Sequence, residues 1–199
     1  MINMARTTVA ILCIVLSGCS TAYSLVAPGA VAVGPLSVQA SGGWNRAPDT
    51  QTRSARPNAE TWTQDGLLLD RLVIIPGVPD GESLLVSRSD SAALPVFRAD
   101  MLPNEVEELF ESSMLKLFGE GNAVVSSDGL RPHRFGDNVG SLFEIDAIVS
   151  DSPRYRGLVG AFVANDELYA LYFLAAVPYY FDKHLDVAQR TIQSAVLSQ

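Results

Sequence analysis

Two histidines, His133 and His184, are the side chains in this sequence best suited to moving protons or binding metal near neutral pH. They stand far apart, and neither belongs to an H-x-x-x-H pair that would set two imidazoles on one helical face for a metal ion. His133 lies in Arg131-Pro132-His133-Arg134, a basic, turn-rich segment that suits an anion such as a lipid phosphate or polysaccharide, or simply an exposed edge. His184, between Lys183 and Leu185, falls on the polar side of a predicted helix and reads as a surface residue. Glu144 and Asp146 project from one face of a predicted strand about 7 Å apart, a separation compatible with a paired acid and base. With Arg154 and Arg156 downstream, they equally suit a solvated, charge-neutralised sheet face. Glu105, Glu107, Glu108 and Glu111 read as the solvated N-terminal half of a helix rather than as cation ligands. The serines include no G-x-S-x-G elbow, and neither Gly119-Glu120-Gly121 nor Gly157-Leu158-Val159-Gly160 is followed by what a phosphate loop requires. No catalytic, metal or cofactor residue set is therefore predicted. Tyr169, Tyr172, Tyr179 and Tyr180, with Phe173 and Phe181, form the densest aromatic stretch. Core packing is the default for them, yet tyrosines also line clefts, and a binding groove is expected, if anywhere, where the last strand meets the last helix.

The composition frames these choices. The chain has 199 residues, 14 Lys+Arg against 22 Asp+Glu, and a formal charge of −8. An acidic balance excludes a chain whose main task is gripping nucleic-acid phosphates. An apolar share of 48% is that of a globular body, and the length suits one domain. Two cysteines are too few for a disulfide framework or a Cys-rich zinc site.

Residues 1–20 have the three-part layout of a secretory signal: a positive start with Arg6, an apolar run over 9–16, and small residues up to Cys19. The run is about half of the ~20 residues needed to span a bilayer. Its end, Leu16-Ser17-Gly18-Cys19, resembles the lipobox of bacterial lipoproteins, in which the Cys is acylated and becomes the new first residue. The resemblance implies a leader over 1–18 and a membrane anchor on Cys19. Cys13 and Arg6 would go with the leader, leaving 181 residues, a charge of −9 and no free thiol. Because Ser20, and not an Asp, follows the Cys, the resemblance implies the periplasmic face of an outer membrane.

The elements that must position everything else follow from periodicity and turn residues. Residues 19–32 read as a short membrane-proximal tether and 33–199 as a single α+β domain. Within it, 33–39 suits a strand and 41–61 an irregular polar connection. Trp62 and 67–75 suggest a strand pair around the Gln64-Asp65-Gly66 turn. Val106, Leu109, Phe110, Met114, Leu117 and Phe118 recur at helical spacing and predict a helix over 102–118, with Pro103 in its first turn and Gly119 past its end. A meander should follow, with strands over 123–127, 130–135, 142–149, 155–163 and 168–177. If Asn165-Asp166 is a two-residue hairpin loop, Ala164 faces Glu167, Phe162 faces Tyr169 and Gly160 faces Leu171. The last strand, apolar on both faces, should be central. A helix opened by Pro178 is predicted to bury Phe181, Leu185, Ala188, Ile192, Ala195 and Val196.

The second half, from Gly140 through the aromatic strand to Tyr180-Phe181-Asp182-Lys183 and the final helix, resembles PsbP/Mog-type domains. The resemblance implies an α/β/α sandwich around an antiparallel sheet, and members of that group are mostly scaffolds, assembly factors and binding proteins. The leading expectation is a non-enzymatic envelope lipoprotein whose partners are the membrane, through its lipid, and an envelope protein or small ligand. The alternatives are a small envelope hydrolase using His133 with Glu144 or Asp146, and a purely structural lipoprotein.

Overall fold

The structure is a computed structural model that describes residues 22–52, 56, 58–86 and 93–198. The leader and Cys19 lie outside the described residues. The first half contributes β1 (Ser24–Val26), β2 (Gly29–Val33), β3 (Leu36–Ala40), β4 (Trp44–Arg46), β5 (Glu60–Thr63), β6 (Asp70–Pro79) and helix α1 (Pro103–Phe118). The second contributes β7 (Ala123–Phe135), β8 (Asn138–Val149), β9 (Tyr155–Ala164), β10 (Glu167–Ala176), helix α2 (Tyr179–Gln193) and the two-residue β11 (Val196–Leu197).

Eight strands form one antiparallel sheet in the order β1-β4-β5-β6-β10-β9-β8-β7, and β11-β3-β2 form a second, small sheet. Burying β10 centrally follows from its composition, because a strand without a polar face must be covered on both. Successive side chains of β10 alternate between two cores. Tyr169, Leu171, Phe173 and Ala175 face α2 and the small sheet, together with Leu36, Val38, Phe181, Ala188 and Ile192. Leu168, Ala170, Tyr172 and Leu174 face α1, together with Val106, Leu109, Phe110 and Met114. The predicted hairpin register holds, with Ala164 opposite Glu167, Phe162 opposite Tyr169 and Gly160 opposite Leu171. Asn165 and Asp166 both take positive φ, the conformation of a type I′ turn. The chain therefore has the α+β, α/β/α architecture expected of it.

Several local readings change. Residues 24–26 and 29–33 are strands of the folded body rather than tether, and Val26 and Val33 are buried. The strand expected over 33–39 is a hairpin, β2 with β3, turned at Gly34, whose φ of +55° suits glycine. The stretch 41–61 holds β4, the start of β5 and, in Trp44, a fully buried ring. The two strands expected over 123–127 and 130–135 are one, β7, because Asp128-Gly129 makes a register shift against β8 instead of a reversal. In α2 the buried stripe is Phe181, His184, Ala188, Thr191 and Ile192, so the helix is rolled toward His184 and leaves Leu185 partly exposed. It approaches the sheet closely at Gly160, where a Cβ would stand 2.5 Å from Ile192 Cγ2. Among the described residues no helix is long and apolar enough to cross a membrane.

Candidate functional site

On the α1 face, the helix lies over β7 and β8 and leaves the β5-β6-β10 side open. There the strands lay down one row, Thr61 of β5 opposite Val73 of β6 and Val73 opposite Tyr172 of β10. This row floors a cleft of about 820 Å³, within the range of pockets that take small organic ligands. Leu85 and Leu117 wall it, and Leu67, Leu68 and Leu69 of the β5–β6 loop, with Tyr23 and Gln51, form its rim. Arg71, one row along β6 and on the same face, brings a guanidinium to the cleft. Among the described residues Arg71 has no carboxylate within ion-pair distance. Burial pushes the Tyr172 phenol above its ordinary value, and the nearby Arg71 only partly offsets this, so the hydroxyl stays protonated and available as a donor.

The rim loop is fixed from beneath. Asp70 is 1% exposed and takes the Gln64 N–H at 2.8 Å on Oδ2, and the Asp65 N–H at 2.7 Å on Oδ1. Thr63 Oγ1 donates to the Asp70 carbonyl at 2.8 Å and accepts the Gly66 N–H at 2.8 Å. The turn so shaped presents Asp65 to α2, where Oδ2 meets Lys183 Nζ at 2.6 Å and His184 Nε2 at 2.5 Å. Tyr155 donates to the Leu68 carbonyl at 3.1 Å, and Ala176 N–H to the Leu69 carbonyl at 2.9 Å.

Ligand atoms of Asp65, Asp70 and His184 lie within 4.8 Å of one another, close enough for a metal. Their chemistry argues for a clamp instead, because backbone N–H groups occupy both Asp70 oxygens and the Lys183 ammonium already neutralises Asp65. The hydrogen bond from Lys183, then that from His184, holds the Asp65 carboxyl below its ordinary value of 3.8. A carboxyl lowered on folding contributes stability that is complete above its unfolded value and is lost as pH falls through its folded one. The thermal midpoints of the wild type and Asp65→Asn are accordingly expected to differ at neutral pH and to converge as the pH drops through the acid range below 3.8.

The sequence candidates fall elsewhere. Tyr169, Tyr172, Tyr179 and Tyr180 do not share a groove. Tyr169 stacks on Phe162 in the α2-side core, while Tyr172 is on the opposite face of the sheet. Tyr179 is exposed at the start of α2, and Tyr180 packs partly against the core there. Of the four, only Tyr172 lines the cleft. Burial, then the Glu167 carboxylate it donates to at 2.6 Å, pushes the Tyr169 phenol up to about 12. The hydrolase constellation is not assembled either. His133 pairs in register with Gly140, about 14 Å along β8 from Glu144 at the rise of an extended strand. Its Nε2 lies 3.3 Å from the Gln193 carbonyl. Glu144 is paired with Arg156 at 2.9 Å and Asp146 with Arg154, the neutralised sheet face that was the other reading of that pattern. His184, read as a surface residue, is 4% exposed. Its burial was legible in the spacing 181, 184, 188, 191 and 192, which makes a continuous helical stripe once a histidine is admitted to it. Its partner was not legible, because Asp65 is remote in sequence.

Comparison with protein-family models gives no match, and neither does comparison with curated proteins. Solved structures do match. The cyanobacterial PsbP protein (CyanoP) of Synechocystis sp. PCC 6803 superposes with a TM-score of 0.55 at 12% identity, covering 98% of each chain. The Ran-binding protein Mog1p of Saccharomyces cerevisiae gives 0.45 at 8% identity, over 89% of this chain and 96% of that one. LpqN of Mycobacterium tuberculosis, described as involved in cell envelope biogenesis, gives 0.34 at 12% identity, over 92% and 88%. The likeness to the Synechocystis protein, end to end at low identity, establishes that this chain has the PsbP-type α+β fold.

Proposed function

We propose that this chain is a non-enzymatic binding or assembly module of the bacterial cell envelope, held at the periplasmic face of the outer membrane by an acylated Cys19. The observation that carries the reading is the cleft itself, wide and mostly apolar, with Thr61, Tyr172 and Arg71 as polar groups on its floor, Tyr23, Gln51, Thr52 and Asp65 around them, and no nucleophile–base pair among the described residues lining it. Such a site selects and holds a ligand, and the one carboxylate on it among the described residues, Asp65, is tied up by Lys183 and His184. The lipobox resemblance at Leu16-Ser17-Gly18-Cys19 supports the anchor. Tyr23 is on the cleft rim and four residues after Cys19 in sequence, which supports a binding face close to such an anchor.

The test is the full-length chain against Cys19→Ser in growing bacterial cells fed an alkyne-tagged fatty acid. Cys19→Ser should lose all acyl label and pass from the membrane to the soluble fraction, since stable anchoring needs the acyl chains. Crosslinking the wild type in envelope fractions should recover the same bound component in repeated preparations. Retention of Cys19→Ser in the membrane would refute the anchor, and repeated recovery of nothing would refute the binding role.

A further inference from the structure

We infer that the cleft between the β5–β6 loop and α1 binds a single-chain amphiphile with an anionic head, the head resting on Arg71 and the Tyr172 hydroxyl and the chain lying along Val73, Leu85 and Leu117. The inference deepens the binding-module reading above and rests on it.

Three independent observations select this class of ligand. The first is the separation of chemistry within the cleft. Leu67, Leu68, Leu69, Val73, Leu85 and Leu117 give it a mostly aliphatic lining, while Arg71 and Tyr172 enter it from neighbouring strands on one face of the sheet, which suits an occupant apolar over most of its length with one polar head. The second is the sign of the charge. Asp65 is neutralised by Lys183 at 2.6 Å, and Arg71 has no carboxylate partner among the described residues, so the balance of charge among the described residues lining the cleft is positive. A half-buried guanidinium without a counter-ion favours a carboxylate or phosphate ligand, which it can grip with two parallel N–H groups. An uncharged or cationic ligand would leave it unpaired.

The third observation is where the mouth lies. Tyr23 is on the rim, and the four residues back to Cys19 span at most about 14 Å of extended chain. Leu68, on the same rim, is 78% exposed. An acylated Cys19 would therefore hold an apolar rim within reach of the lipid surface, and an amphiphile leaving that surface would meet the cleft mouth first. The hydrogen bonds to the Leu68 and Leu69 carbonyls and the Asp65 clamp keep that rim in place when the cleft is empty, so little ordering opposes binding.

The probe is cis-parinarate, a fluorescent fatty acid, titrated into the full-length chain carrying Cys19→Ser and, separately, into the lipidated wild type reconstituted in detergent-free nanodiscs. Saturable one-to-one binding is expected for both. Palmitate should displace the probe and methyl palmitate, which lacks the charge, should not. Arg71→Ala should bind about tenfold more weakly, the effect of a hydrogen bond to a charged group, and Arg71→Lys should recover part of this. Tyr172→Phe, which keeps the ring in the core, should weaken binding a few-fold, again by about one hydrogen bond. Unfolding midpoints within error of the parent would confirm that the variants are folded. Non-saturable binding, equal displacement by the methyl ester, or an Arg71→Ala variant that binds as the parent does would overturn the proposal. Binding by Cys19→Ser alone would also overturn it, since the occupant would then be the chain's own acyl group. A chain that recovers its envelope partner but binds no probe refutes this inference and leaves the module reading standing. A wild-type chain that binds the probe but carries no acyl label refutes the anchor and leaves this inference standing.

Discussion

Phe173→Ala is expected to lower the unfolding free energy by about 3–5 kcal/mol, the usual range for deleting a fully buried phenylalanine. Phe173 is 0% exposed and sits on the central strand opposite Leu72 on one side and Leu158 on the other. Its ring meets Trp44 edge-on at 6.4 Å and lies near-parallel to Phe181 at 6.0 Å, so it ties the central strand both to β4, near the edge of the same sheet, and to α2. Those three elements come from opposite ends of the sequence, and a cavity here cannot collapse without moving strand, helix or both. Against a total of about 5–15 kcal/mol for a domain, the loss would bring a marginal fold close to its threshold. Urea denaturation should show a lower midpoint at unchanged slope. Phe173→Leu, which preserves most of the volume, should lose less than about 1.5 kcal/mol. Because Phe173 faces α2 and the cleft is on the other side of the sheet, the surviving folded fraction should keep its ligand affinity. A loss below about 1 kcal/mol for Phe173→Ala would mean that Trp44 and Phe181 repack readily and that the seam is not specific.

The elements that the residue pattern specified are those whose determinants are local. The β9–β10 register is set by a two-residue Asn-Asp turn and by alternation on both sides, and it stands as expected. Helix α1 likewise follows from its own spacing, with Glu105 accepting the Leu102 N–H at 2.7 Å to close its first turn. What the pattern misrepresented was decided by distant partners. Asp128-Gly129 has turn chemistry, yet a continuous neighbour on β8 makes it cheaper to bulge than to reverse. Ala-rich residues near the start look like a tether until β3 and β4 pair with them. The cleft was illegible for the same reason. Its floor is one residue from each of three strands, and its charge depends on Asp65 being neutralised from α2. Of its members only Tyr172 stood out in the sequence, and it did so for a groove on the wrong side of the sheet.

The loop that shapes this cleft depends on Asp70 more than on any residue that touches a ligand. Asp70→Ala is expected to lose about 3 kcal/mol, because the part-buried N–H groups of Gln64 and Asp65 forfeit their carboxylate acceptor at once, and each orphaned group costs on the order of 1–3 kcal/mol before water and the relaxing loop compensate. Asp70→Asn keeps the shape and one acceptor oxygen but turns an amide NH2 toward the other N–H, so it should be intermediate at about 2 kcal/mol. The same change should be felt at α2, since Asp65 is aimed at Lys183 and His184 by the turn that Asp70 organises. Hydrogen exchange should speed up at the Gln64 and Asp65 amides first and over the rim residues 66–69 next, while β9 and β10 remain protected. Combining Asp70→Ala with Asp65→Asn should cost less than the sum of the two, because both act on one network. Unchanged exchange at residues 64 and 65 would show that the turn holds without its carboxylate. Strict additivity would show that the floor of the cleft and its tie to α2 are separate devices.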